Sequence, residues 1–194
     1  MKGGLIAGLI CMMALAVGCA TRPETPASRS ALSAKVERAV ALFQATDPSI
    51  ETYFNDAYAY AVLPEITKAA ALVGGAYGRG EVFVGGTKVG YCSMTQASLG
   101  FSFGGQYFRE IIFFRERADF ERFTGGAFTM SAQVTAVALQ YGSADRNDYN
   151  YGLAVFVAAD QGLMVDASVG GQTFQYDPAF VIRYEPPAAL PESR

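Results

Sequence analysis

The chain has 194 residues, of which 51% are hydrophobic and 17% charged, with 21 Gly, 14 Phe, 11 Tyr, no Trp and no His. This composition suits one packed domain and excludes intrinsic disorder. Without histidine there is no Ser-His-Asp or Cys-His catalysis and no Cys2His2 zinc site, and a net charge of −3 speaks against a general nucleic-acid binder.

Met1-Lys2 places one cation before an apolar run from Leu5 to Val17. The run is shorter than the roughly 20 residues a membrane helix needs, and it has signal-peptide proportions. Ala16-Val17-Gly18-Cys19 resembles a bacterial lipobox, so residues 1–18 are expected to be removed and Cys19 acylated. Ala20, by likeness to proteobacterial lipoproteins, implies sorting to the outer membrane, facing the periplasm. Cys11 would leave with the signal, so Cys92 would be the one free thiol. Residues 19–29 read as an anchored tether. Thr21 to Arg29 is rich in Pro, Thr and Ser and would reach roughly 30 Å when extended.

Glycine is absent from Cys19 to Val73 and dense from Gly74 to Gly171, which predicts a mainly helical entry followed by a mainly β region. Ser30 is the expected N-cap of a first helix carrying Leu32, Val36, Val40 and Phe43 on one face. Asp47-Pro48 opens a second, with Ile50, Phe54 and Ala57 as its stripe. Residues 57–63 suit helix or strand equally, and Pro64 is expected to close the region.

The period then changes to two. Glu81 to Val84, Gly85-Gly86 and Thr87 to Tyr91 form a strong hairpin signal. Leu99, Phe101 and Phe103 alternate ahead of a turn or bulge at Gly104-Gly105. Ile111 to Phe114 is apolar on both faces, as in a covered strand. Arg115 to Phe123 reads as a helix with Phe120 and Phe123 on one face, stopped by Gly125-Gly126. Further strands are expected over residues 128–138, 153–157, 163–169 and 172–176. The sum is an α+β fold: a mostly antiparallel β-barrel core of about 7–8 strands, closed or nearly so, with two or three surface helices. Residues 30–185 form the domain and residues 186–194 a flexible tail.

No motif points to catalysis. Cys92 sits in a strand-like stretch and reads as a buried small hydrophobe. Glu116, Asp119 and Glu121 interleave with Arg115, Arg117 and Arg122 as a solvated, compensated face. The glycines of residues 75–80 lack the order of a nucleotide loop. Residues 145–150 lack the Gly and Glu of a calcium loop. No cofactor or metal is expected. The candidate anionic-lipid contacts are Lys35 and Arg38 on the first helix and Lys68, Arg79 and Lys88 near turns, each worth about 1 kcal/mol at an anionic surface.

Several stretches occur together in a consistent order. They are A-Y-A-V-L-P (59–64), V-G-G-A-Y-G-R-G (73–80), V-G-Y (89–91), Q-A-S-L-G-F-S-F-G-G-Q (96–106) and Y-F-R-E-I-I-F-F (107–114). F-E-R-F (120–123), S-A-Q-V-T-A-V-A-L (131–139) and G-L-M-V-D-A-S-V-G-G-Q (162–172) follow. Together they resemble the SYLF domain family over roughly residues 30–180. The resemblance implies a β-barrel core with packed helices, phosphoinositide or anionic-lipid binding and, in eukaryotic members, actin binding. The combined expectation is a non-catalytic cell-envelope lipoprotein that binds anionic phospholipid weakly. The alternative is a structural or protein-interaction lipoprotein whose one lipid is its anchor and whose protein partner is unknown. An integral outer-membrane barrel is disfavoured by the lipobox and by the polar, Pro-rich tail.

Overall fold

A computed structural model describes residues 21–70, 73–99, 104–130, 149–159 and 171–179. In chain order the elements are helices α1 (Pro26–Thr46) and α2 (Ile50–Asp56), then strands β1 (Ala59–Ala70), β2 (Val73–Val84), β3 (Thr87–Leu99) and β4 (Gly104–Phe114). Helix α3 (Arg117–Thr124) and strands β5 (Phe128–Met130), β6 (Leu153–Ala159) and β7 (Gln172–Pro178) complete them. The strands form one antiparallel sheet of order β5-β7-β3-β2-β1-β4-β6. The fold is α+β with a mostly β core, as expected, and the sheet is a half-barrel.

One hydrogen bond shows the curl directly. Gln172 on β7 donates from Nε2 to Glu110 Oε2 on β4 at 3.0 Å. Those strands are four places apart in the sheet order. A flat sheet would separate them by about 19 Å at roughly 4.8 Å per strand. The curl gives the sheet two environments. Its concave side holds Leu63, Ile66, Val82, Cys92, Met94, Ile112, Phe114, Val155 and Phe174, closed at one end by Phe123 of α3. Its convex side packs Val62, Ile111, Phe113 and Phe156 against Val36, Ala39 and Phe43 of α1 and Ile50 and Tyr53 of α2. Ile111 to Phe114 therefore feeds both cores, which is why its sequence is apolar on both faces.

The hairpin turn is Gly85-Gly86, with φ of 53° and 76°. These left-handed values are what a tight two-residue turn requires, and glycine adopts them without a Cβ clash. Gly125 ends α3, its N–H donating to the Glu121 carbonyl at 2.9 Å.

Several boundaries differ from the expectation. Helix α2 starts at Ile50 behind Ser49, not at Pro48 behind Asp47, whose carboxylate instead accepts from the Ser49 N–H at 2.9 Å. Helix α1 begins inside the expected tether, because Thr25 and Ser28 form a reciprocal cap and Pro26 occupies the first helical position. Residues 59–70 are a full strand, so the glycine-free region is not all helical. Pro64 does not stop that strand. It lies where the register shifts against both β2 and β4, a bulge where its missing N–H costs no ladder bond. Gly104-Gly105 pairs with Ala70 and Ala69 inside β4 and is not a turn. The strands expected at 131–138 and 163–169, the stretch 100–103, residues 145–148 and the tail lie outside the described residues.

Candidate functional site

Strand pairing lines up one row across the convex face. Glu65 of β1 opposes Arg79 of β2, Arg79 opposes Ser93 of β3, and Ser93 opposes Gln175 of β7. Directly opposed residues point to the same face, so these four side chains all project outward. Arg109 extends the row on β4. It shares a groove of about 260 Å³ with Pro64, Glu65, Tyr107 and Phe108.

Around Glu65 the charge is mostly positive. Lys35 Nζ lies 2.8 Å from Glu65 Oε2, an exposed pair. Arg38 follows one helical turn later, is exposed, and has no ion-pair partner among the described residues. Arg79 donates from Nε to the Tyr77 hydroxyl at 2.7 Å, with its guanidinium carbon 5.7 Å from that ring's centroid. Two of the five expected cations, Lys35 and Arg79, thus meet at Glu65, while Arg38 stands exposed on α1, and the outward phase of β4 adds Arg109. The sequence carried a signal for that added one: Tyr107 and Arg109 hold the polar phase of a strand whose other phase holds Phe108, Ile112 and Phe114.

The other two expected cations sit elsewhere. Lys68 is 4% exposed, in the concave phase with Ile66. Lys88 Nζ reaches Glu81 Oε1 at 2.9 Å and Ser33 Oγ at 3.0 Å, while Ser33 Oγ donates to the same Glu81 oxygen at 2.7 Å. Glu81 is 2% exposed, so Lys88 neutralises a covered carboxylate at the α1–β2 contact.

The segment before α1 is laid onto this face. Thr21 Oγ1 is 3.0 Å from Ser93 Oγ and 3.5 Å from Gln175 Oε1. Arg22 sits over the Tyr91 ring at 5.7 Å, and Lys88 lies 5.4 Å from the same ring. Arg29 donates to the carbonyls of Pro23 and Glu24 at 3.1 and 3.0 Å. Ser93 and Tyr91 are buried in consequence. Residues 21–25, expected to be tether, are therefore docked.

The concave side holds a second polar group. Glu110 is fully buried, and burial pushes its carboxyl up to about 7, with the Gln172 hydrogen bond opposing the rise. Glu110 Oε1 and Gln172 Oε1 have no hydrogen-bond partner among the described residues. Cys92, on the same side, is fully buried, and burial together with the charges of Glu110 and Glu81 raises its thiol far above the ordinary range. It packs as the small hydrophobe expected. On α3, Arg117 pairs with Glu121 at 2.7 Å on the exposed side and Arg122 with the partly covered Asp119, so the charges are compensated as expected. Among the described residues no three acidic or thiol side chains converge on a point, and no helix is long and apolar enough to cross a membrane. Cys19 lies outside the described residues.

No protein-family profile matches the chain. It is similar to a protein called Beta cell expansion factor A from Aeromonas veronii, at 26% identity over 151 residues. The match covers 77% of this chain and 58% of that protein, so the chain spans less than two thirds of its relative's length.

Proposed function

We propose that the protein is a cell-envelope lipoprotein, acylated at Cys19, whose SYLF-like domain is non-catalytic and binds anionic phospholipid weakly. The observation that carries this reading is the gathering of Lys35, Arg79 and Arg109 around a single carboxylate, Glu65, on one convex face. Cations at an anionic surface contribute about 1 kcal/mol each, so this patch suits weak, salt-sensitive adhesion and not a tight headgroup pocket. Lys68 and Lys88 have no part in it, being turned inward and engaged with Glu81 respectively.

Co-sedimentation of the non-acylated chain with vesicles tests the reading. Phosphatidylglycerol-containing vesicles should retain more protein than phosphatidylcholine vesicles, and Arg79→Glu should abolish the difference. Equal retention by both vesicles counts against lipid binding.

A second reading is favoured by Tyr107, which is 52% exposed beside the Glu65–Arg109 groove. An aromatic next to paired charges suits a protein contact. Cross-linking in native membranes to one stoichiometric protein, with no vesicle binding, would select this alternative.

A further inference from the structure

We infer that Glu110 and Gln172 form a proton-dependent latch, which holds β5 and the first part of β7 against β4 and keeps the half-barrel closed. The inference is independent of lipid binding and of acylation.

The latch spans the curl of the sheet. Gln172 opens β7, where it pairs with Gln96 of β3 on one side and Met130 of β5 on the other. Its side chain reaches across to Glu110 on β4. Both residues are enclosed, Glu110 at 0% and Gln172 at 2% exposure. Leu63 of β1 and Val157 of β6 stand opposite Glu110 on its two neighbouring strands, and their side chains offer it no hydrogen bond.

The pair lacks one hydrogen-bond donor. Gln172 Nε2 donates to Glu110 Oε2, which leaves Glu110 Oε1 and Gln172 Oε1 as two buried acceptors with no partner among the described residues. Neither a carboxylate nor an amide oxygen can donate, but a carboxylic acid can. A proton on Glu110 Oε1, donated to Gln172 Oε1, gives both oxygens a partner and closes an acid–amide ring of two hydrogen bonds. Without it, both oxygens stay unpaired where an unmade hydrogen bond is expensive. Parting of β7 from β4 then lets water satisfy them.

Burial favours the proton and brings the carboxyl to about 7, so the latch holds in acid and releases as pH rises through neutrality. The other titratable or charged side chains on the concave side of the described strands are Lys68 of β1, Cys92 of β3 and Tyr176 of β7. Burial raises both Cys92 and Tyr176 above their ordinary values, so neither titrates near neutrality. Glu81, Arg109 and Asp177 occupy the convex phase of their strands. Strands β5 and β6 carry no charged residue, and the acids of α3 pair with its own arginines at Glu121 and Asp119.

The test is native amide exchange on the whole protein, corrected for the intrinsic rate at each pH and repeated in low urea. Amides of β5 and of Gln172 to Phe174 should lose about 30-fold in protection between pH 5.5 and 8.5, the ratio for a carboxyl that titrates at about 7 when latched and at 4.5 when released. Their exchange should depend on urea less steeply than that of β1 and β2, as a partial opening does. Glu110→Gln builds an amide–amide pair with the same two hydrogen bonds and should keep the low-pH protection at both pH values. Glu110→Leu also removes the charge but leaves Gln172 unpaired, and should show weak protection at both. Equal protection in the two variants overturns the latch, because charge alone would then matter. A urea dependence equal to that of β1 and β2 overturns it as well, because Glu110 would then act on global unfolding only. So does wild-type exchange that is unchanged between the two pH values.

Discussion

Replacing Glu110 with glutamine should make the protein more stable at pH 8 and leave it nearly unchanged at pH 4. The carboxyl is fully buried on β4 and moves from its ordinary 4.5 to about 7. An acid whose folded pKa is raised binds its proton more tightly in the folded state than in the unfolded one. Its favourable contribution is thus complete below about pH 4.5 and is lost as pH rises through about 7. At about 1.4 kcal/mol per pKa unit, the loss is about 3 kcal/mol above neutrality. Glutamine keeps the shape and the acceptor for Gln172 but carries no charge, so it should recover most of that amount. In a domain of this size the gain corresponds to about 6–12 °C in Tm. Urea unfolding of both proteins between pH 4.5 and 8 reads the effect. The wild-type midpoint should fall across the window while that of Glu110→Gln stays flat. Parallel slopes would refute the reasoning, because Glu110 would then not be the linked group.

Other outcomes follow from packing and chemistry. Phe113 contacts the rings of Tyr53, Phe54, Tyr60 and Phe156 at centroid distances of 5.5, 5.0, 5.9 and 5.6 Å. Phe113→Ala should therefore cost about 3–5 kcal/mol in urea unfolding. Gly80 has no room for a methyl group, because a Cβ there would run into the Val62 backbone. Gly80→Ala should destabilise by about 3 kcal/mol, whereas Gly85→Asn in the open turn should be near neutral in the same assay. Cys92 should resist thiol reagents in the native protein and react at the rate of global unfolding, followed by mass spectrometry.

The features legible from sequence were those set by local geometry. A Gly-Gly pair between alternating strands announces its turn, and a run apolar in both phases announces a strand covered on both sides. The start of α1 was hidden because Pro26 and Ser28 look like linker residues when read by composition, although Thr25, Pro26 and Ser28 are also a helix cap. Pro64 misled because its meaning depends on a bulge, and a bulge belongs to three strands at once.

The candidate site was legible only in part. Lys35 and Arg79 could be picked as cations, but their meeting at Glu65 depends on strand register and helix packing. Lys68 reads as a surface residue until its strand phase is known, and Lys88 until Glu81 is found opposite its amine. Glu110 left a trace that could have been used: it interrupts the apolar phase of Phe108, Ile112 and Phe114. The docking of residues 21–25 left none, since it depends on contacts between positions 72 and 154 residues apart.

The proposed function requires a lipid on Cys19 that holds this domain at a membrane. Fractionating cells that express the wild-type chain or Cys19→Ala tests it most directly. Wild-type protein is expected in the membrane fraction, carrying a diacylglyceryl mass on Cys19, and the variant is expected to be released as unanchored protein. The same distribution for both, with no lipid mass on the wild type, would contradict it.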